Sequence, residues 1–245
     1  MIILGDIGNS EVKICLFKKD KQIKKIILKS SLINNSYIKR KLAIFGKNTI
    51  IEQILFSSVV PKIYLSFKIF FKKNFKINSI EVKQLKFEKL IKIAVNKRQI
   101  GSDRLCNAIG VKNNKDNFIV VDFGTATTFD VIVKNKYLGG IIAPGVSLSL
   151  NTLISRASLI PYIDLQKTTN IIAKNTVNAV RSGFYWGYLG LVQNIINKIS
   201  IETKKKYKIV LTGGYCHLFR KSIKNKSVID KEITIRGLLK ISNLI

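Results

Sequence analysis

The stretch Phe118-Ile119-Val120-Val121-Asp122-Phe123-Gly124-Thr125 repeats in kind one from the start of the chain, Ile2-Ile3-Leu4 leading into Asp6-Ile7-Gly8-Asn9-Ser10. A short apolar run of this type reads as a buried strand. After the first copy Val12, Ile14 and Leu16 alternate with Glu11, Lys13 and Cys15, and Lys18 to Lys21 reads as a hairpin turn. After the second copy Phe129, Val131 and Val133 alternate, and Lys134-Asn135-Lys136 reads as the turn. Strand, Asp-x-Gly, polar turn, strand and hairpin thus recur in one order, which predicts two halves of one duplicated fold.

Around these units the pattern turns helical. Leu105, Ala108 and Ile109 follow Asp103 at helical spacing, and Val177 to Ile199 offers Val180, Phe184, Leu191, Ile195 and Ile199 as a core face. The expected class is α/β, with mixed sheets opened by hairpins and flanked by helices. The polar stretch Lys112-Asn113-Asn114-Lys115-Asp116-Asn117 has the composition of a junction. The expected domains are therefore 1–115 and 116–245.

At 245 residues and 47% hydrophobic composition, the chain has enough apolar residues for two cores and does not have the make-up of a disordered protein. Its apolar runs are too short for a signal peptide or a membrane span, so a cytoplasmic protein is expected. Cys15, Cys106 and Cys216 are scattered, with no CxxC spacing, as suits a reducing compartment. The formal charge of +29 points on its face to nucleic acid. Yet the lysines are spread along the chain among Ile and Asn, a pattern that reads as a generally basic solvated surface rather than a nucleic-acid groove.

Five motifs bear on chemistry. A glycine two residues after an aspartate at a strand end brings backbone N–H groups close to an anion, so Asp6 to Ser10 and Asp122 to Thr125 read together as phosphate loops of a nucleotide cleft. Either alone would read as an ordinary hairpin-opening turn. Asp6 suits Mg²⁺, which is usually held by one or two carboxylates with phosphate oxygens and water. Gly101-Ser102-Asp103-Arg104 has two readings that stay open. Ser102 or Asp103 caps the helix that follows, or Asp103 is a general base with Arg104 as an anion ligand. Gly139 to Gly145 reads as a strand end and tight turn, and Leu211-Thr212-Gly213-Gly214 as a strand entering a glycine loop.

Taken in order, Asp6-x-Gly-Asn-Ser, Gly101-Ser-Asp-Arg, Asp122-Phe-Gly-Thr-Ala-Thr-Thr-Phe-Asp130, Gly139-Gly140 to Pro144-Gly145, Lys174-Asn175-Thr176 and Ser182-Gly183 closely resemble the type III pantothenate kinase family. The resemblance implies duplicated actin-like (ribonuclease H-like) domains that close around ATP. It also implies phosphorylation of pantothenate, the first step of coenzyme A synthesis. By that resemblance Asp6, Ile7, Gly8, Asn9, Ser10, Glu11, Val12, Lys13 and Thr125 would bind ATP, and Asp122 would hold a monovalent cation, K⁺ or NH₄⁺, used beside Mg²⁺. Gly101, Ser102, Asp103, Arg104 and Thr176 would bind pantothenate, with Asp103 as catalytic base in a homodimer. Departures from the family pattern are Ala94, Lys97 and Ser102 where tyrosine, proline and alanine are usual, Ala173 for the glycine before Lys174, and Ser10 for threonine. Two other readings are a kinase for another metabolite on the same fold, and a regulatory or nucleic-acid-binding homologue.

Overall fold

A computed structural model describes residues 1–45, 49–86 and 89–244. Along the chain the elements are β1 (Ile2–Ile7), β2 (Glu11–Lys18), β3 (Lys21–Lys29), α1 (Asn35–Leu42), β4 (Gln53–Ser58), α2 (Pro61–Phe75), β5 (Ile80–Glu81), β6 (Lys92–Ile93) and α3 (Ser102–Val111). There follow β7 (Asn117–Phe123), β8 (Ala126–Val133), β9 (Lys136–Pro144), α4 (Val146–Arg156), α5 (Thr176–Thr203), β10 (Lys208–Gly213), α6 (Cys216–Arg220), β11 (Ser227–Ile229) and α7 (Ile233–Ser242).

The expected repeat appears as topology. One sheet runs β3-β2-β1-β4-β5, and the other runs β11-β10-β7-β8-β9 before β6, so each strand of the first has a counterpart in the second in the same spatial order. β1 is antiparallel to β2 and parallel to β4; β7 is antiparallel to β8 and parallel to β10. The register agrees as well: Asp6 stands opposite Ser57, and Asp122 opposite Thr212. Both sheets are mixed and the class is α/β, as expected. The hairpin turns also fall where the sequence places them, with Lys19 and Lys134 at φ 53° and 50°.

The chain divides into two compact units, Met1–Lys112 with Asn135–Tyr137 and Glu232–Ile245, and Asn113–Lys134 with Leu138–Lys231. The cut between Lys112 and Asn113 lies in the polar junction. The C-terminal segment, however, counts with the first unit, where the expected division at 115/116 is contiguous. The cause is α7, which buries Ile233, Ile235, Leu238 and Ile241 and packs on α3, β1 and β4. α7 and α3 approach closely through two glycines: a Cβ at Gly237 would lie 2.0 Å from the Cys106 carbonyl oxygen, and one at Gly110 2.4 Å from that of Ile233. Lys240 of α7 then donates to the carbonyls of Ile109, Gly110 and Lys112 at 3.1, 2.9 and 3.3 Å, closing the C-terminal end of α3.

In the second unit α5 lies against the core formed with β7, β8 and β10. Its deepest side chains are Ser182, Tyr185, Val192, Ile196 and Ile199. Of the expected core face, Ile199 is buried as expected, while Val180, Phe184, Leu191 and Ile195 are partly buried at its margin beside the deeper Tyr185, Val192 and Ile196. Gly139 and Gly140 lie inside β9, not at its end; the strand runs on to Pro144, and Gly145 is the N-cap of α4. Among the described residues, no helix is long and apolar enough to cross a membrane.

Candidate functional site

In the first unit the Asp6 carboxylate projects from the end of β1, half-buried, and the chain turns at Gly8, whose N–H donates to the Glu11 carbonyl at 2.9 Å. Ser30 holds the turn from behind, donating its hydroxyl to the Gly8 carbonyl at 2.8 Å and its N–H to that of Ser10 at 3.0 Å. Asn9, Ser10 and Glu11 are exposed, and Lys13 is half-buried opposite Asp6 on β2. Ile7 and Val12 are core residues at 1% and 0% exposure. They can meet a ligand only through their backbone.

Asp103 is the second residue of α3, and the N-cap position is Gly101, not Ser102 or Asp103 as the capping reading expects. Asp103 nevertheless serves the helix end, since its Oδ1 accepts the Arg104 N–H at 2.8 Å. A carboxylate there also suits the positive end of the helix dipole. Burial pushes Asp103 above the ordinary carboxylate range, against the opposing pull of that hydrogen bond and the Arg104 charge. A carboxylate raised in this way binds a proton more readily than a solvated aspartate. Gly101 gives it room, since a Cβ there would lie 2.4 Å from Asp103 Oδ1.

Asp6, Asp103 and Glu81 all bear on one point inside this unit. Burial first, and then the charges of these three carboxylates in that order, push the Cys106 thiol well above its usual value. Cys106 is fully buried, so it reports the field without being available for reaction. Nothing in the sequence marks Glu81, which with Glu88 is one of two glutamates in a lysine-rich stretch. Ser102 is fully buried, and its hydroxyl reaches Glu81 and the Ser58 carbonyl.

In the second unit Asp122 ends β7, half-buried, with Gly124 and Thr125 exposed in the turn that follows. Its Oδ1 lies 2.6 Å from where a Cβ of Gly213 would stand and 3.6 Å from that of Gly124. Gly213 has φ +82°, a conformation glycine adopts without strain. The carboxylate is therefore bordered by bare backbone, room that side chains at these positions would fill. Thr176 opens α5 and is exposed, behind the Asn175 side chain that caps the helix by accepting the Asn178 N–H at 2.9 Å. Beside it a cavity of about 450 Å³ is walled by Lys167, Lys174, Asn175, Asn178 and Arg181 among others, though not by Thr176 itself.

Among the described residues, no three His, Cys, Asp or Glu side chains form a metal cage. Mg²⁺ needs none when a nucleotide supplies phosphate oxygens, so Asp6 fits it. The glycine-bordered Asp122 carboxylate likewise fits a monovalent cation.

The family model for type III pantothenate kinase matches residues 2–198. The chain belongs to the type III pantothenate kinase family. It is 56% identical over the whole of both chains to a type III pantothenate kinase of Pelagibacter ubique, and 34% identical to one of Sulfurihydrogenibium sp. over 97% of this chain and 98% of that one. Among solved structures, one titled a putative Baf family transcriptional activator from Campylobacter jejuni superposes with a TM-score of 0.65 at 22% identity, covering 99% and 98% of the two chains. A putative 2-dehydro-3-deoxygalactonokinase from Sinorhizobium meliloti superposes with a TM-score of 0.63 at 10% identity, covering 100% and 99%. At these identities the structural likenesses speak for the fold, the actin-like kinase fold of the family.

Proposed function

We propose that the chain transfers the γ-phosphoryl group of ATP to the primary hydroxyl of pantothenate, giving 4'-phosphopantothenate, the first step of coenzyme A biosynthesis. The observation that carries this reading is family membership over residues 2–198. Phosphoryl transfer needs positioning and charge neutralisation more than covalent chemistry. The turn from Gly8 to Glu11, with Lys13, and the Thr125 turn grip the phosphates through short polar side chains and backbone N–H groups other than those of Gly8 and Gly124, which are donated to Glu11 and Ala126 within the turns. Mg²⁺ held by Asp6 would neutralise phosphate charge, and a monovalent cation at Asp122 would do so from the second repeat.

Asp103 accepts the proton of the pantothenate hydroxyl as its oxygen attacks the γ-phosphorus, and the bond to ADP breaks. Arg104 orients the substrate carboxylate or a carbonyl, with Gly101 and Thr176 as further pantothenate contacts. Ser102 contributes through its backbone, because its hydroxyl is turned to Glu81. The two actin-like repeats are divided at 115/116, and α7, though it follows the second repeat in sequence, packs with the first. The protein works in the cytoplasm as a homodimer, a reading supported by three free, buried cysteines and by apolar side chains left exposed between Ile142 and Ile172.

The test is ADP release with and without pantothenate, in K⁺, NH₄⁺, Na⁺ and cation-depleted buffer. Pantothenate-dependent release that rises with K⁺ or NH₄⁺ is expected. Turnover of a sugar or acetate with none of pantothenate would overturn the substrate, and equal rates in all four buffers would overturn the cation.

A further inference from the structure

Ser102, the first residue of α3, is fully buried and has one hydroxyl proton with two acceptors in reach, the Ser58 carbonyl at 3.2 Å and the Glu81 carboxylate in a shorter contact. An ionised carboxylate is the stronger acceptor, so the proton goes to Glu81 in a charge-assisted bond. Glu81 is itself fixed. Its other oxygen accepts the Lys83 N–H at 2.8 Å, and its own N–H donates to the Gln84 side chain at 3.4 Å, a capping box on the short turn after β5. Lys83 ties the same turn to the approach to α3, donating from Nζ to the Arg98 carbonyl at 3.1 Å.

The start of α3 is thus pinned to the ends of β4 and β5 by one side chain. Asp103 follows directly, and the Leu105 N–H bond to the Gly101 carbonyl at 3.2 Å makes residues 101–105 a single turn. Any rotation of that turn re-aims the Asp103 carboxylate, which lies folded back over Gly101.

We propose that Glu81 is a positioning residue: through the Ser102 hydroxyl it fixes the first turn of α3, and with it the Asp103 carboxylate, in the orientation that receives the acceptor's proton. The inference rests on the reading of Asp103 as base. Glu81 has no part in the transfer itself.

The experiment is steady-state kinetics on Glu81→Ala, Ser102→Ala, the double variant and Glu81→Gln, beside Asp103→Asn, each well below its melting temperature. Because small misplacements of a reacting group cost large factors, both alanine variants should lose about 10–100-fold in kcat with the KM for ATP within about twofold. The double variant should lose no more than the worse single one, since the two act as a unit. Glu81→Gln, whose amide oxygen still accepts the Ser102 proton, should stay within about threefold of the parent.

A pair that only stabilises the fold would lower melting temperatures and leave kcat alone. That result, or losses that multiply in the double variant, would overturn the inference. Ser102→Ala keeps the Glu81 capping box, so it decides the matter even where Glu81→Ala does not fold. Should Asp103→Asn be inactive while both alanine variants run at the parent rate, the inference alone falls. Should Asp103→Asn keep its rate, the base reading falls and takes this one with it.

Discussion

Asp103 joins a structural duty to the proposed chemical one, and substitution can separate them. Asparagine keeps an oxygen that can accept the Arg104 N–H but cannot take a proton, so Asp103→Asn should lose on the order of 10²–10⁴-fold in turnover while ATP binding is retained. The pH dependence has a definite sign. Burial raises the folded carboxyl above the ordinary aspartate range, so folding favours the protonated form, and stability is lost as pH rises through the folded value. The asparagine variant lacks that loss. It should melt at the same temperature as the parent or higher at pH 8, with the gap closing as pH falls toward the ordinary aspartate range, and the acid limb of the parent's rate profile should lie above that range. A rate profile whose acid limb follows an unshifted aspartate would count against Asp103 as base. Gly213 makes a second case at this scale. Gly213→Ala places a Cβ 2.6 Å from Asp122 Oδ1 and from the Phe123 backbone, at φ +82°, and should cost about 1–3 kcal/mol in urea unfolding while weakening the response to K⁺.

At the scale of elements, α3 is held at both ends, at its start by Ser102 on β4 and β5 and at its close by the Lys240 ammonium on three carbonyls. Lys240→Met keeps most of the stem and removes the donors. It should destabilise the protein by about 1–3 kcal/mol, the usual cost of leaving buried polar groups unsatisfied, as read by urea denaturation at neutral pH. Kinetic constants should move less than stability, because the lost bonds lie at the far end of the helix from Asp103. Unchanged stability would mean that water replaces the amine.

Association is a property of the whole molecule. Leu159, Tyr162 and Ile172 are 90%, 81% and 87% exposed, and Ile142, Leu148 and Ile171 are exposed as well, in one stretch of the second unit. Large apolar side chains left exposed along one stretch suit a surface that another chain covers. Light scattering at micromolar concentration should give twice the chain mass of 27.7 kDa, and Leu159→Asp with Ile172→Lys should shift it to the monomer. A parent protein that is monomeric under these conditions would remove the dimer from the proposal.

The repeat is legible in the order of residues alone. Buried strands, Asp-x-Gly turns and hairpins are local patterns written in adjacent residues, and Asp6 and Asp122 occupy matching registers in sheets of matching order because the same pattern was read twice. The sequence also marked Gly101 to Arg104 as a helix start, though it could not tell cap from base, since both use the same residue types at the same spacing. The remaining features come from contacts between distant elements. Glu81 reaches Ser102 across 21 residues, Lys240 reaches Gly110 across 130, and α7 joins the unit that begins at Met1. No periodicity encodes such contacts. They arise where separate elements are packed close enough for one side chain to satisfy another's backbone, and for a glycine such as Gly237 to be the residue that fits.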